Sequence, residues 1–219
     1  MKKIIYLISG IVIISQMLAC SMSNDDECEL KNAEMYVLDH KDFYENYTRE
    51  EWLQLPDSLK PSVYSSMTQR AKCSFWEHKI SELKQLRWSQ SELNHILDLE
   101  NFIESNSMIF SKDYVDDSVN YAIVSSFASA WQRYAEQTLG WNQSIIYFVS
   151  ASGDVLTDGL LNHFRNGGAH DLLDLAGGCP CSTESDWCSN SKKCVKSKCG
   201  RDVDGCGFLL LSECNGVCR

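Results

Sequence analysis

The most constraining feature of this chain is the crowding of cysteines at its carboxyl end. Eight of its 11 cysteines fall in the last 41 of 219 residues: Cys179, Cys181, Cys188, Cys194, Cys199, Cys206, Cys214 and Cys218. A segment this short cannot bury enough apolar surface to fold by itself, so covalent or metal cross-links are needed. The composition changes at Gly177-Gly178, and we therefore predict a separate cysteine-rich module over residues 177–219.

The cysteine spacing favours disulfides over a metal in this tail. A structural zinc site would use paired Cys-x-x-Cys units, and the tail has none. Eight cysteines in an oxidising compartment predict four disulfides, and their spacing leaves all 105 connectivities open. We predict neither a metal ion nor any other cofactor.

The amino terminus has the form of an export signal over residues 1–19. Lys2 and Lys3 precede an apolar run from Ile4 to Ile14, which is too short to span a bilayer. Met17-Leu18-Ala19-Cys20 resembles a bacterial lipobox, which implies that Cys20 becomes lipidated and anchors the chain in a membrane. An ordinary secretory signal, in which Cys20 falls by chance, is the alternative.

Residues 20–28 form a short polar segment that contains Asp25, Asp26 and Glu27. We interpret it as an acidic tether behind the lipid anchor. It also resembles the acidic surface-export signals of lipoproteins in the Bacteroidetes group. This resemblance implies an exported protein of the outer membrane that faces outward.

Residues 29–176 are predicted to form a helical domain, so the chain as a whole is expected to be mainly α. Thr48 with Glu51, and Ser89 with Glu92, have the spacing of capping boxes at helix starts. Apolar residues then recur every three to four positions, which predicts a bundle of four to six helices. The stripe is clearest at Ala122, Ile123, Phe127, Ala130, Trp131, Tyr134 and Thr138. We expect the tryptophans and tyrosines at this spacing to be core residues.

Two segments near the end of this domain are less uniform in their pattern. The run from Ile145 to Val149 suits either a buried strand or a buried helix. Leu156 to Phe164 is predicted to be a last short helix, which ends at Asn166-Gly167-Gly168.

No catalytic motif occurs in the sequence, and we therefore predict that the protein is not an enzyme. The five histidines form no HExxH pattern, and no nucleophile elbow, phosphate-binding loop or dinucleotide fingerprint is present. Cys73 could be a nucleophile with His78 as its base, but the two residues are five positions apart and would lie on different faces of a helix. We predict instead that Cys28 and Cys73 form a disulfide.

The net charge of −10, without clustered basic residues, argues against a nucleic-acid partner.

The tail combines a basic stretch with an apolar one. Lys192, Lys193, Lys196 and Lys198 are followed by the run Phe208, Leu209, Leu210 and Leu211. Such a pairing could dock on an anionic membrane or on a receptor of a target cell. Alternatively, the apolar run is the only core strand of the module and the lysines solvate it.

The opening of the tail, Cys179-Pro-Cys181-Ser-Thr-Glu-Ser-Asp-Trp-Cys188, resembles that of the bacteriocin fulvocin C-related family. Gly205-Cys206-Gly207 and Cys214-Asn215-Gly216 match later parts of the same pattern. The resemblance covers about 40 residues and implies a bacteriocin-like module. The sequence before Cys179 also resembles a double-glycine leader, with cleavage after Gly177-Gly178, but we favour the simpler interpretation of a flexible hinge after a helix.

Two functional hypotheses follow from these features. In the first, an exported lipid-anchored protein displays or carries a disulfide-stapled bacteriocin-like peptide that acts on bacterial membranes. In the second, it is a non-toxic surface lipoprotein whose cysteine-rich tail is a structural or partner-binding module.

Overall fold

The computed structural model describes residues 25–111, 118–168, 181–183, 188, 193–197 and 204–218. The described part is mainly α, with small strands in the cysteine-rich tail, and this confirms the predicted fold class. The helices are α1 Asp25–Asp39, α2 Lys41–Tyr44, α3 Arg49–Leu53, α4 Lys60–Ser66, α5 Gln69–Leu83, α6 Gln90–Ser105, α7 Ser118–Gln137, α8 Gln143–Ser150 and α9 Asp158–Arg165. A 3-10 turn, Ser107–Phe110, follows α6.

The two predicted capping boxes are present and begin α3 and α6. The Thr48 hydroxyl accepts a hydrogen bond from the backbone amide of Glu51, whose carboxylate accepts from the backbone amide of Thr48. Ser89 and Glu92 make the same reciprocal pair. These bonds satisfy amides that a helix start otherwise leaves without partners.

The amino-terminal third divides into shorter helices than the periodicity predicts. Pro61 lies in the first turn of α4, and Thr68 caps α5 through a bond from Ala71. Such closely spaced start signals explain why the described part holds more than the predicted four to six helices. α1 begins at Asp25, and it therefore overlaps the segment that we interpreted as a tether.

Helix α5 passes through the centre of the domain. Phe75, Trp76, Ile80 and Leu83 on one face are each at most 1% exposed. The run that suited either a strand or a helix is α8, whose start is capped by Asn142 through a bond from the Ile145 amide. Ile145, Ile146, Phe148 and Val149 are all buried, so α8 is a core helix with apolar contacts on several sides.

Helix α7 is less buried than its regular stripe predicts. Ala128, Trp131 and Ala135 face the core, whereas Ile123 is 44% exposed and Tyr134 is 46% exposed. The prediction that the aromatic residues are core is therefore correct for Trp131 but wrong for Tyr134. The period of 3.6 residues identifies a helix, but it does not determine how much of the stripe finds a partner.

The tail consists of short paired strands. β1 Cys194–Lys196 pairs antiparallel with β4 Gly216–Cys218, and β2 Asp204–Cys206 pairs antiparallel with β3 Ser212–Glu213. Between β2 and β3, Phe208–Leu210 forms a 3-10 turn. Among the described helices, none is both long enough and apolar enough to cross a membrane.

The loop after α8 packs closely against the core at Gly153. A Cβ atom placed on Gly153 would lie 2.6 Å from Cζ of Phe75 and 2.7 Å from the ring of Trp52. Both rings are buried and packed edge to face against each other, so they cannot move aside without disturbing the core.

We therefore expect Gly153→Ala to lower the free energy of unfolding by about 1–3 kcal/mol, because the added methyl group overpacks this contact. Gly159→Ala is the control, since the added Cβ would meet only the Thr157 hydroxyl oxygen, at 3.8 Å. The control should be neutral or slightly stabilising, as alanine favours a helix. Urea unfolding followed by circular dichroism measures both changes, and equal stabilities for the two variants would contradict the packing argument.

Candidate functional site

Two disulfides lie wholly within the described part of the cysteine-rich module. Cys181 is bonded to Cys194, and Cys206 is bonded to Cys214. Cys188 is also disulfide-bonded. Cys179 and Cys199 lie outside the described residues, and the side chain of Cys218 is not described. The Sγ atoms of Cys181, Cys188 and Cys194 lie within 4.8 Å of one another, but disulfide sulfurs lack the thiolate charge that binds zinc.

Hydrogen bonds around Asn215 hold the start of the module to its end. The backbone amides of Asn215 and Gly216 both donate to the carbonyl oxygen of Cys181, at 3.1 and 3.0 Å. The side-chain oxygen of Asn215 accepts from the amide and the hydroxyl of Thr183, at 2.8 and 3.0 Å. A Cβ atom on Gly216 would lie 2.4 Å from Sγ of Cys194. This position therefore needs glycine.

The apolar run of the tail is inserted into the core of the helical domain. Phe208 is 3% exposed, Leu209 0% and Leu210 6%, and all three belong to the same apolar cluster as α5, α6 and α8. Leu211 is partly buried against that cluster. The Phe208 ring lies 6.1–6.4 Å from those of Phe102, Phe127 and Trp131.

Both expectations for this run are therefore corrected. In the folded chain Phe208, Leu209 and Leu210 are too deeply buried to contact a membrane, and they are not a core strand of the module itself. The second apolar cluster among the described residues contains only Cys206 and Cys214. Because the module has so little interior, its apolar side chains are buried in the neighbouring domain.

The turn that inserts these leucines adopts an unusual backbone. Leu209 and Leu210 have φ angles of 52° and 57°, in the left-handed region that costs about 1–2 kcal/mol per residue for a side chain with a Cβ. Burying each leucine gains about 1.5–3 kcal/mol. Burial of the two leucines therefore offsets the strain of their backbone. If the turn were exposed to water, this gain would be lost and the strained conformation would not be favoured.

A buried hydrogen-bond chain fixes the backbone of the turn to the helices. The indole Nε1–H of Trp76 donates to the hydroxyl oxygen of Tyr64, which donates to the carbonyl oxygen of Leu209, each at 3.0 Å. Tyr64 is 0% exposed, and burial raises the pKa of its hydroxyl far above the usual value. The hydroxyl therefore stays protonated and remains a donor.

Strand β2 extends this contact along α4. A Cβ atom on Gly205 would lie 3.1 Å from Cα of Pro61, and the φ angle of Gly205 is +138°. The glycine thus permits both the close approach and the backbone conformation. The tail therefore contacts the helical domain through its backbone as well as through its apolar side chains.

The described basic residues of the tail remain exposed. Lys193 precedes β1 and Lys196 ends it, and Val195 between them is 46% exposed. Part of the basic stretch at residues 192–198 is therefore a short strand, β1. Lys192 and Lys198 lie outside the described residues, as do Cys20, Gly177 and Gly178, so lipidation and cleavage stay predictions.

The predicted disulfide between Cys28 and Cys73 is wrong, because Cys73 is a free thiol. Cys73 lies on α5, where its Sγ is 3.7 Å from the carbonyl oxygen of Ser107. Burial, with the negative charge of Glu77, raises the pKa of this thiol, and a raised pKa makes it a poor nucleophile. His78 instead pairs with Glu50, its Nδ1 lying 2.6 Å from a carboxylate oxygen.

Comparisons of the chain with protein-family models, with curated protein sequences and with solved structures give no match. The function is therefore argued from the residues and their geometry.

Sequence reasoning missed a pair of buried cations beneath the loop at residues 152–154. Arg49 is 1% exposed, and its Nε donates to the carbonyl oxygen of Gly153 at 2.9 Å. Its Nη1 lies 2.6 Å from a carboxylate oxygen of Glu82. Lys79 is 0% exposed and donates to the carbonyl oxygen of Asp154.

Both cations therefore bind backbone carbonyls just beyond the carboxyl end of α8, where the helix dipole is negative. This arrangement stabilises the loop, and the described contacts assign it no chemical step. Burial, together with the neighbouring Arg49 cation, lowers the pKa of Lys79 to about 7, although Asp154 and Glu82 oppose the change.

This lowered pKa makes stability depend on pH. Between about pH 7 and pH 10 the unfolded chain keeps a proton on Lys79 that the folded chain has lost, so the free energy of unfolding should rise with pH. The slope approaches about 1.4 kcal/mol per pH unit. Lys79→Met should remove this rise, whereas Lys41→Met, at an exposed lysine, should keep it. Denaturant unfolding at several pH values measures the slopes, and an unchanged slope in Lys79→Met would contradict the assignment.

Proposed function

We propose that this protein is an exported lipoprotein, anchored through lipidated Cys20, whose cysteine-rich tail is a structural and partner-facing part of a surface domain. The observation that carries this proposal is the burial of Phe208, Leu209 and Leu210 among the helices. A peptide that acts on membranes must offer its apolar residues to the bilayer. In this chain the same residues complete a core.

The partner-facing surface is the exposed part of the tail around β1. Lys193, Val195 and Lys196 are exposed there, and β1 pairs with β4. The surface combines positive charge with an apolar side chain. It suits an acidic partner outside the cell, because opposite charges guide association.

The bacteriocin-like function is the second candidate, and it requires that the tail leave the helical domain. Cleavage after Gly178 would permit release only if the contacts of Tyr64, Phe208 and Leu209 were given up. The released peptide would then expose Phe208, Leu209 and Leu210 to solvent, in the same chain as the basic residues Lys193 and Lys196. The two candidates therefore differ in one physical quantity, the free energy with which the tail is held on the helical domain.

Two matched substitutions measure that strength in the oxidised full chain. Leu209→Ala should lower the free energy of unfolding of the helices by about 2–5 kcal/mol, as for other buried leucines. Val195→Ala, on the exposed part of the same tail, should change it by less than about 0.5 kcal/mol. Urea unfolding followed by helical circular dichroism reports both values, and an unchanged stability in Leu209→Ala would contradict the structural role.

A second arm of this experiment tests release directly. A protease site introduced after Gly178 allows the folded protein to be cut, and the cut protein is then passed over a gel-filtration column and added to vesicles of anionic lipid. The proposal predicts that the two fragments elute together and that the vesicles do not leak. A freely eluting tail fragment that causes leakage would support the bacteriocin-like function instead.

A further inference from the structure

Helix α7 carries an exposed apolar ridge in the first part of its length. Val119 and Ile123 are 66% and 44% exposed, and the partly buried Phe127 continues the row four residues later. Residues four apart lie on one face of a helix, so these three side chains form one continuous ridge. Exposed apolar surface of this kind is typical of a site that contacts another molecule.

A row of small residues runs beside this ridge on the same helix. Ala122, Ser126 and Ala130 follow the same spacing of four residues, and all three are exposed. A row of small side chains next to larger ones leaves room for the ridge of another helix to pack closely. The same face of α7 therefore has both a ridge and a place that can receive one.

The last part of this face borders a groove between α6 and α7. The groove has a volume of about 500 Å³. Phe102 from α6, and Phe127, Ala130 and Tyr134 from α7, give it apolar walls. Tyr134 is 46% exposed, and no side chain that the structure describes fills the space beside it.

The exposed ridge and the groove are a fixed distance apart on one helix. Ile123 precedes Ala130 by seven residues, which is about 10 Å along the helix axis. A twofold axis midway between them places Ile123 of one copy against Ala130 of the other. The same axis places Val119 against Tyr134. Each copy then fills the groove of the other, as in an isologous dimer.

The charges of this face also favour a second copy. The chain has a net charge of −10, so two copies repel each other over most of their surface. From Ser118 to Gln132, however, α7 has no charged residue. The one charged residue in the lining of the groove is Asp98, and the twofold arrangement sets it opposite the uncharged part of the other α7. Two copies can therefore meet here without like charges face to face.

A different partner would have to match two features at once. It would have to supply an apolar side chain to the groove and an apolar cover for the ridge, at the spacing that α7 sets. A second copy does both, because its own α7 carries the same ridge and borders the same groove. A flat bilayer would contact the ridge and leave the groove, which is recessed between two helices, unfilled.

We propose that the chain forms a twofold-symmetric dimer in which α7 packs antiparallel on α7 of a second copy. Ile123 enters the groove of the other copy and packs on its Ala130. One helix face and one groove make a small interface, so the expected Kd is on the order of 10 μM. This inference goes beyond the proposed function and rests neither on the lipid anchor nor on release of the tail.

Sedimentation velocity over a range of concentrations tests for the dimer. The sample is the oxidised chain from residue 20 onwards with Cys20→Ser, so that no acyl group drives association. The proposal predicts a sedimentation coefficient that rises from the monomer value to the dimer value between about 1 and about 100 μM. A chain that stays monomeric up to about 1 mM would leave this face to a different occupant and would overturn the proposal.

Ile123→Lys should raise the Kd of the dimer at least about tenfold, because it places a charge in the apolar groove of the other copy. Tyr121→Lys is the matched control, since Tyr121 is 48% exposed on the same helix and does not line the groove. The control should dimerise like the unsubstituted chain. Equal weakening in both variants would show a general effect of charge and would overturn the assignment.

A third variant separates α7 from another exposed apolar site. Leu38 on α1 is 70% exposed, the largest fraction among the large apolar residues that the structure describes. Leu38→Lys should leave the Kd of the dimer unchanged. A dimer that dissociates in Leu38→Lys and persists in Ile123→Lys would place the interface on α1 and would overturn the proposal.

Discussion

The structure depends on one contact, the insertion of Phe208, Leu209 and Leu210 between the helices. The cysteine-rich module has almost no interior of its own, and the helical domain has a space that these side chains fill. The hydrogen bond from Tyr64 to the Leu209 carbonyl fixes the position of the turn, and the single disulfide between Cys206 and Cys214 closes the loop that contains it. The disulfides and the apolar core are therefore parts of one mechanism: the cross-links shape the turn, and burial stabilises its strained backbone.

This dependence changes how the resemblance to a bacteriocin family is to be interpreted. A free cysteine-rich peptide and a docked one can share cysteine spacing, because the spacing reflects the strands and the cross-links. They differ in where the apolar residues are buried. In this chain two glycines of the matching motifs have structural explanations, since Gly205 permits contact with Pro61 and Gly216 makes room for Cys194. The motif is thus compatible with a structural role.

The sequence predicted the parts of the fold that depend on local chemistry. The capping residues Thr48 and Ser89 and the apolar spacing of α5 identify their helices, because these signals act within a few residues. It did not predict the location of Phe208–Leu210, since a short apolar run without a period carries no information about its partner. Likewise, the stripe of α7 contains both Trp131 and Tyr134, and only the packing of α7 against its neighbours determines that Trp131 is buried and Tyr134 is half-exposed. The buried Lys79 was missed because a charged residue on an apolar helix face has no local signature of its carbonyl partner.

The most direct test of the account is the thermal unfolding of the helices before and after the disulfides of the full chain are reduced. If the tail completes the helical core, the oxidised protein should unfold in one transition, and reduction should move the helical transition to lower temperature. The loss should be at least about 2 kcal/mol, the lower end of the stabilisation by one disulfide. A helical transition that stays at the same temperature after full reduction would show that the two parts are independent, and would contradict the account.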